Sequence, residues 1–177
     1  IMGTQMHLFN PQDCLNLADG QTIRMPVNTP QQIWDTMATM AKAGLPLHLS
    51  EITITSPNND ARGQQIQAVL TRNLYRTWFS VGPMMGITWW NVVDDCGAPG
   101  EPSVSGLFSR DMAPKPAFHA MNALINDEWK TRLTLKAGAN GNVAFRGFKG
   151  TYRVSWKDAA GAEKQAEFRL AKDGDGL

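Results

Sequence analysis

The chain has 177 residues, enough for one hydrophobic core of ordinary size. Its 17 Lys and Arg against 16 Asp and Glu leave a net charge of only +1, too small a surplus to point to nucleic acid or an anionic membrane surface, so neither is expected as a partner. No apolar run approaches the ~18 residues of a membrane span, and Ile1-Met2-Gly3-Thr4-Gln5 lacks the charged start and apolar core of a signal peptide.

Residues 2–8 read as a strand with no capping turn before it, so the chain is expected to begin part-way through a domain. A long polar loop is expected over 10–28. A helix then starts at Pro30, capped by Asn28 or Thr29, with Ile33, Met37, Met40 and Ala41 at helical spacing and Gly44 as its stop. Residues 45–54 form the next strand. The stretch 61–81 predicts a long helix buried through Ile66, Val69, Leu70, Leu74, Thr77 and Trp78, with Gly82-Pro83 ending it. Residues 86–93 follow as a strand, 96–112 as a loop rich in Gly and Pro, and 114–126 as a helix packed through Phe118, Met121, Leu124 and Ile125. Three strand-loop-helix units in succession imply an α/β fold with a parallel sheet.

Past Glu128 the pattern alternates with period two over 131–136, 143–146, 151–156 and 166–170. Turn residues divide these runs at Gly138-Ala139-Asn140-Gly141, Phe148-Lys149-Gly150 and Asp158-Ala159-Ala160-Gly161. A small antiparallel β extension is therefore expected over 128–172, after an α/β unit over 1–127 and before a flexible tail at 173–177. So small a sheet is marginal alone, which predicts that it docks on the preceding unit through Phe145, Phe148, Tyr152, Trp156 and Phe168.

Glu51 needs a reason to be where it is. It interrupts the run Leu47-His48-Leu49-Ser50-Glu51-Ile52-Thr53-Ile54 just before the loop Ser56-Pro57-Asn58-Asn59-Asp60. Ionised carboxylates are rarely buried without partners, and the C-terminal mouth of a barrel or sheet is where α/β enzymes keep reacting groups. A structural ion pair or a solvated strand end accounts for Glu51 alone equally well. Trp89 and Trp90 end the next strand, and an indole at the lip of a pocket offers a flat face suited to a sugar ring; core packing with one satisfied N–H is the competing account. Of the histidines, His7 alone reads as a core residue bonded to a backbone carbonyl, His48 alternates away from Glu51's face, and His119 lies in a helix. Cys14 and Cys96 are too few for a disulfide framework, and without HxxxH or CxxC spacing neither a metal nor a cofactor is expected.

Taken in order, Gln5-Met6-His7, Leu49-Ser50-Glu51-Ile52-Thr53-Ile54, Ile87-Thr88-Trp89-Trp90, and Gly106-Leu107-Phe108 with Pro114-Lys115-Pro116-Ala117-Phe118 resemble glycoside hydrolase family 10. Phe145-Arg146-Gly147-Phe148-Lys149-Gly150-Thr151-Tyr152 is similar to the C-terminal β extension of some members. The resemblance implies the last three βα units of a (β/α)8 TIM barrel and a secreted or cell-surface endo-β-1,4-xylanase that retains anomeric configuration. It places Glu51 on the nucleophile, His7 on the histidine that hydrogen-bonds it, and Gln5, Trp89 and Trp90 among the residues that bind xylan or xylo-oligosaccharide. The acid/base glutamate would lie in an N-terminal part of the barrel, the chain's expected partner, since Asp94 and Asp95 look like loop anchors. A second aromatic expected in the loop after Trp90 is missing from Asp95-Cys96-Gly97-Ala98-Pro99-Gly100, and Ser50 stands where many members have Thr. The chemistry fits the residue types: a retaining glycosidase needs an ionised nucleophile, which a donor such as His7 favours, and a second carboxyl about 5 to 5.5 Å away. Two alternatives stay open, a retaining glycosidase on another β-1,4-glycan and a non-catalytic carbohydrate-binding module of the same fold. A closed barrel takes about 250 residues, so this chain alone is expected to aggregate or to require the N-terminal part.

Overall fold

The computed structural model describes residues 1–21 and 29–171. Asn28 as a helix cap and the tail at 173–177 lie outside the described residues. The chain divides into two compact units, Ile1–Leu124 and Ile125–Leu177.

The first unit is built on three parallel strands in the order β1 (Met2–Leu8), β2 (Leu47–Ile54), β3 (Met84–Trp89). Helices α1 (Pro11–Ala18), α2 (Pro30–Ala41), α3 (Ala61–Phe79) and α4 (Pro116–Ala123) connect and follow them. Thr29 caps α2, its Oγ1 accepting from Gln32 N, with Pro30 in the first turn, and the chain leaves through Gly44 at φ +69°, a left-handed turn that favours glycine. Asp60 caps α3 by accepting from Gly63 N at 2.7 Å. Leu47, Leu49, Ile52 and Ile54 of the central strand are at most 1% exposed and pack with Ile33, Met37 and Trp78 as the core. Each such side chain contributes about 1.5–3 kcal/mol on burial.

Three local expectations change. The polar stretch after β1 contains α1, because the Asn10 side chain accepts from Gln12 N at 3.0 Å and Pro11 supplies the first helical φ; only Cys14 is buried there. On α3 the buried face is Gly63, Gln67, Ala68, Thr71, Leu74, Tyr75 and Trp78, while Val69 is 47% exposed. The rotation follows from Gln67, whose amide donates to Ile54 O at 2.8 Å and Gly106 O at 3.2 Å and so satisfies its N–H groups inside, while its Oε1 is left without a partner. The helix expected over 114–126 starts at Pro116, and its end widens into a π turn at Leu124–Glu128.

The largest departure lies in β2. Along β1, Thr4 pairs with Leu49 but Gln5 pairs with Glu51, and along β3, Leu49 pairs with Ile87 while Ile52 pairs with Trp89. Both neighbours therefore meet one extra residue in β2, a bulge at Ser50-Glu51, and Ser50 Oγ donates to Thr4 O at 3.2 Å. The bulge changes the parity of the strand. Leu47 and Leu49 before it and Ile52 and Ile54 after it all face the helices, so His48 and Glu51 share the opposite face. His48 thus lies on Glu51's side, contrary to strict alternation, with Nε2 2.9 Å from Thr88 Oγ1. Its ring crosses Gly86, where a Cβ would stand 2.9 Å from the imidazole.

The second unit is an antiparallel hairpin of β4 (Gly150–Lys157) and β5 (Glu163–Leu170). Asp158 closes its turn by accepting from Ala160 N and Ala162 N, with Gly161 at φ +83°. Tyr152 stacks on Phe168 at 5.4 Å, and Phe145 leans on both rings. Residues 131–136 and 143–146 do not join a sheet, because alternation fixes a face without supplying a partner. Thr131 Oγ1 accepts from Phe148 N instead, and Trp156 stays 45% exposed.

Candidate active site

The C-terminal halves of β1 and β2 bring three of the expected residues together. Gln5 and Glu51 are cross-strand partners on the face away from the helices, and His7 lies two residues further along β1 on that side. His7 Nε2 stands 3.5 Å from Glu51 Oε2, with both side chains half-buried. The expected hydrogen bond is thus a looser contact, longer than the 2.7–3.2 Å of a good N–H···O bond. Phe9 stacks on the His7 ring at 4.5 Å and fixes its plane.

The two tryptophans part company, as successive residues of an extended chain must. Trp89, paired with Ile52, turns to the helices, where it is 9% exposed, stacks beside Tyr75 at 6.3 Å and donates Nε1 to Asn91 O. The structure therefore puts Trp89 in the core and does not bring it to Glu51. Trp90 goes the other way. Its backbone N donates to Ile52 O at 2.8 Å, next to Glu51, and its indole is 46% exposed.

The loop after Trp90 is held by two carboxylates. Asp94 is buried and accepts from Lys115 Nζ at 2.9 and 3.0 Å and from Gly106 N at 2.7 Å, and Lys115 also donates to Val104 O. Such a pair anchors the loop and is unavailable as a general acid. Asp95, at φ +60°, bonds Ser103 O through its backbone N. Gly106 permits the packing, since a Cβ there would overlap Asp94 N and come within 2.6 Å of Val93 C.

The second carboxylate was not singled out by sequence reasoning. Glu101 Oε1 accepts from Trp90 Nε1 at 3.2 Å, and Oε2 accepts from Asn91 Nδ2 at 2.8 Å and Ala98 N at 3.0 Å. The Asn91 amide foremost, helped by the Ala98 N–H, the indole and the charge of His7, holds the Glu101 carboxyl below its ordinary 4.5, although desolvation, second in size to the Asn91 bond, works the other way. Nothing in Gly100-Glu101-Pro102 announces this; the only available signal was a carboxylate in the same loop that lacks the expected aromatic. Cys14 and Cys96 are both free, one buried and one exposed. Among the described residues no group of three or more His, Cys, Asp or Glu could hold a metal ion, and no helix is long and apolar enough to cross a membrane.

A carboxylate, an imidazole and an open indole toward the C-terminal side of a parallel sheet fit an α/β protein, a class that keeps its sites at strand ends. Residues 1–124 match glycosyl hydrolase family 10, and the chain belongs to that family. An anti-sigma-I factor of Acetivibrio thermocellus is 29% identical over 111 residues, 63% of this chain and 14% of that protein. Among solved structures, a thermostable mutant of a Cellvibrio japonicus xylanase is 17% identical over 67% of this chain and 47% of its own, at TM-score 0.47. An intracellular xylanase of Thermoanaerobacterium saccharolyticum is 17% identical over 67% of this chain and 43% of its own, at 0.48. A Bifidobacterium dentium β-glucuronidase is 14% identical over 71% of this chain and 20% of its own, at 0.49. The chain spans less than half the length of these relatives. None of these three structural likenesses reaches 0.5, so the family rests on the sequence match.

Proposed function

We propose that this chain carries the nucleophile side of a retaining glycoside hydrolase that cleaves β-1,4-xylan inside the polymer. The observation that carries the reading is the placement of Glu51 in the bulge of the central strand, 3.5 Å from His7 and beside the backbone that positions Trp90. In this reading Glu51 attacks the anomeric carbon as the glycosidic bond breaks, and an acid/base carboxylic acid protonates the leaving oxygen. The same group then takes a proton from water as water displaces the enzyme ester, which restores Glu51 and the original anomer. His7 orients the attacking carboxylate, Gln5 lines the same edge, and the Trp90 face packs on the sugar. Trp89, turned to the core, contacts no substrate.

The three strands are read as the last three βα units of a (β/α)8 barrel, and the acid/base residue belongs to the N-terminal part that completes it. A polymeric substrate favours a secreted or cell-surface location. Hydrolysis of another β-1,4-glycan keeps the same machinery with a different outer subsite. A binding module without catalysis is a distinct reading, favoured by one observation, that a matching relative is named for control of a sigma factor.

Glu51→Gln in the protein that carries the whole site separates enzyme from module. The exchange keeps shape and removes the nucleophile, so turnover of a xylo-oligosaccharide falls by several orders of magnitude while binding survives. Retention of more than about a tenth of the wild-type rate, a barrier change of only ~1.4 kcal/mol, refutes the assignment.

A further inference from the structure

We propose that Glu101 is the positioning residue of the sugar platform, clasping the Trp90 indole and the loop that follows it so that the open ring face is presented beside Glu51. The inference deepens the glycosidase reading and rests on it. Glu101 gathers donors from three places in the loop, a side-chain indole, a side-chain amide and a backbone N–H. Its two oxygens divide the work, Oε1 taking Trp90 and Oε2 taking Asn91 and Ala98. The chain continues behind them, for Asn91 Nδ2 also donates to Ser105 Oγ, which donates to Pro102 O. Asn91 and Ser105 are 6% and 2% exposed, so the clasp is fastened to a buried support.

An indole that is 46% exposed is not held by packing alone. With its N–H bonded to a fixed carboxylate, the ring keeps one orientation, and the entropy of ordering it is met before a sugar arrives. The loop offers no other aromatic between Asp95 and Gly100, so the platform depends on this one ring. Gly97 leaves room for the arrangement: a Cβ there would stand 2.8 Å from Glu101 Oε2 and 3.0 Å from Asn91 Nδ2. Glu101 is also the wrong group to protonate a leaving sugar. General acids are kept protonated by surroundings that raise their pKa, and four contributions here lower it.

The test uses the complete protein in a Glu51→Gln background, with xylotetraose as probe, titration calorimetry for affinity and the indole N–H proton signals in NMR for the ring. The Trp90 signal is assigned by its loss in Trp90→Phe. Glu101→Ala is expected to move that signal toward the position of a free indole and to weaken xylotetraose binding about tenfold, the scale of one charge-assisted hydrogen bond. Gly97→Ala keeps the carboxylate but displaces it and is expected to shift both readouts in the same direction, and it serves as the test if Glu101→Ala fails to fold. An unmoved Trp90 signal, or full affinity with a displaced signal, overturns the clasp. If Glu51→Gln itself binds no xylotetraose, the glycosidase reading fails instead, and the Trp90 signal still decides whether Glu101 holds the ring.

Discussion

Lys115→Met is expected to be among the most damaging single changes near the site, although Lys115 touches no substrate. The Lys115 and Asp94 side chains are 2% and 5% exposed. All three protons of the ammonium group are used, on the two oxygens of Asp94 and on Val104 O. Methionine fills similar volume without charge, leaving a buried Asp94 carboxylate with Gly106 N as its remaining donor. Removing one partner of a buried pair costs about 3–5 kcal/mol, because the survivor stays uncompensated in a poor solvent. That is a large share of the roughly 5–15 kcal/mol that holds most domains folded. In a chain of this size the thermal midpoint should drop by roughly 6–20 °C. Urea titrations of wild type, Lys115→Met, Asp94→Asn and the double variant form the cycle that isolates the pair. The double variant should recover much of the loss, since an amide beside a thioether carries no stranded charge. A Lys115→Met loss below about 1 kcal/mol, or a double variant as unstable as the single one, would show that the desolvation argument is wrong for this pair.

Trp90→Ala and Trp78→Ala should separate platform from core: Trp78, 2% exposed, should cost about 3–5 kcal/mol of stability in urea unfolding, while half-exposed Trp90 costs clearly less and mainly weakens sugar binding. Gly106→Ala should destabilise on the scale of an overpacked core, about 1–3 kcal/mol or more, because the obstructing atoms are backbone; an unchanged midpoint would contradict the close approach described. A thiol reagent should modify exposed Cys96 in the native protein and spare Cys14 until unfolding. Burial, reinforced by Asp13, pushes the Cys14 thiol up from 9.0 to about 12, so its contribution to stability is complete below pH 9.0 and is lost as pH rises toward about 12. Cys14→Ala should flatten the pH-stability curve in that window, and an unaltered slope would count against the burial effect.

Much of the α/β unit was legible because its signals are local. Pro30 after Thr29, Gly44 with positive φ and the apolar runs at 47–54 and 84–89 mark elements by their own chemistry. Glu51 stood out for a similar reason, a carboxylate set into an apolar strand, and the structure puts it in the bulge beside His7. What stayed hidden depends on contacts distant in sequence. The inward turn of Gln67 requires the carbonyls of Ile54 and Gly106, and the role of Glu101 requires Trp90 and Asn91 to meet it across a loop. The β extension erred in the opposite direction, since 131–136 and 143–146 carry the period of a strand but find no ladder partner. Two neighbouring tryptophans looked alike as letters, and only the register of β3 sent one inward and left the other open.

The bulge in β2 means that the strand carries one residue more than its alternation needs. Glu51 reaches the face of His48 and Gln5 because one residue is in excess between Leu49 and Ile52. Without Ser50, plain alternation would still put Leu47, Leu49, Ile52 and Ile54 on one face and His48 and Glu51 on the other, and Thr4 would still meet Leu49 as Gln5 meets Glu51. A loss of three nucleotides at this codon is therefore a length change that the faces of the strand absorb, at the cost of the Ser50 Oγ bond to Thr4 O, whereas the same loss at Ile52 would turn either Glu51 or Ile54 to the wrong face.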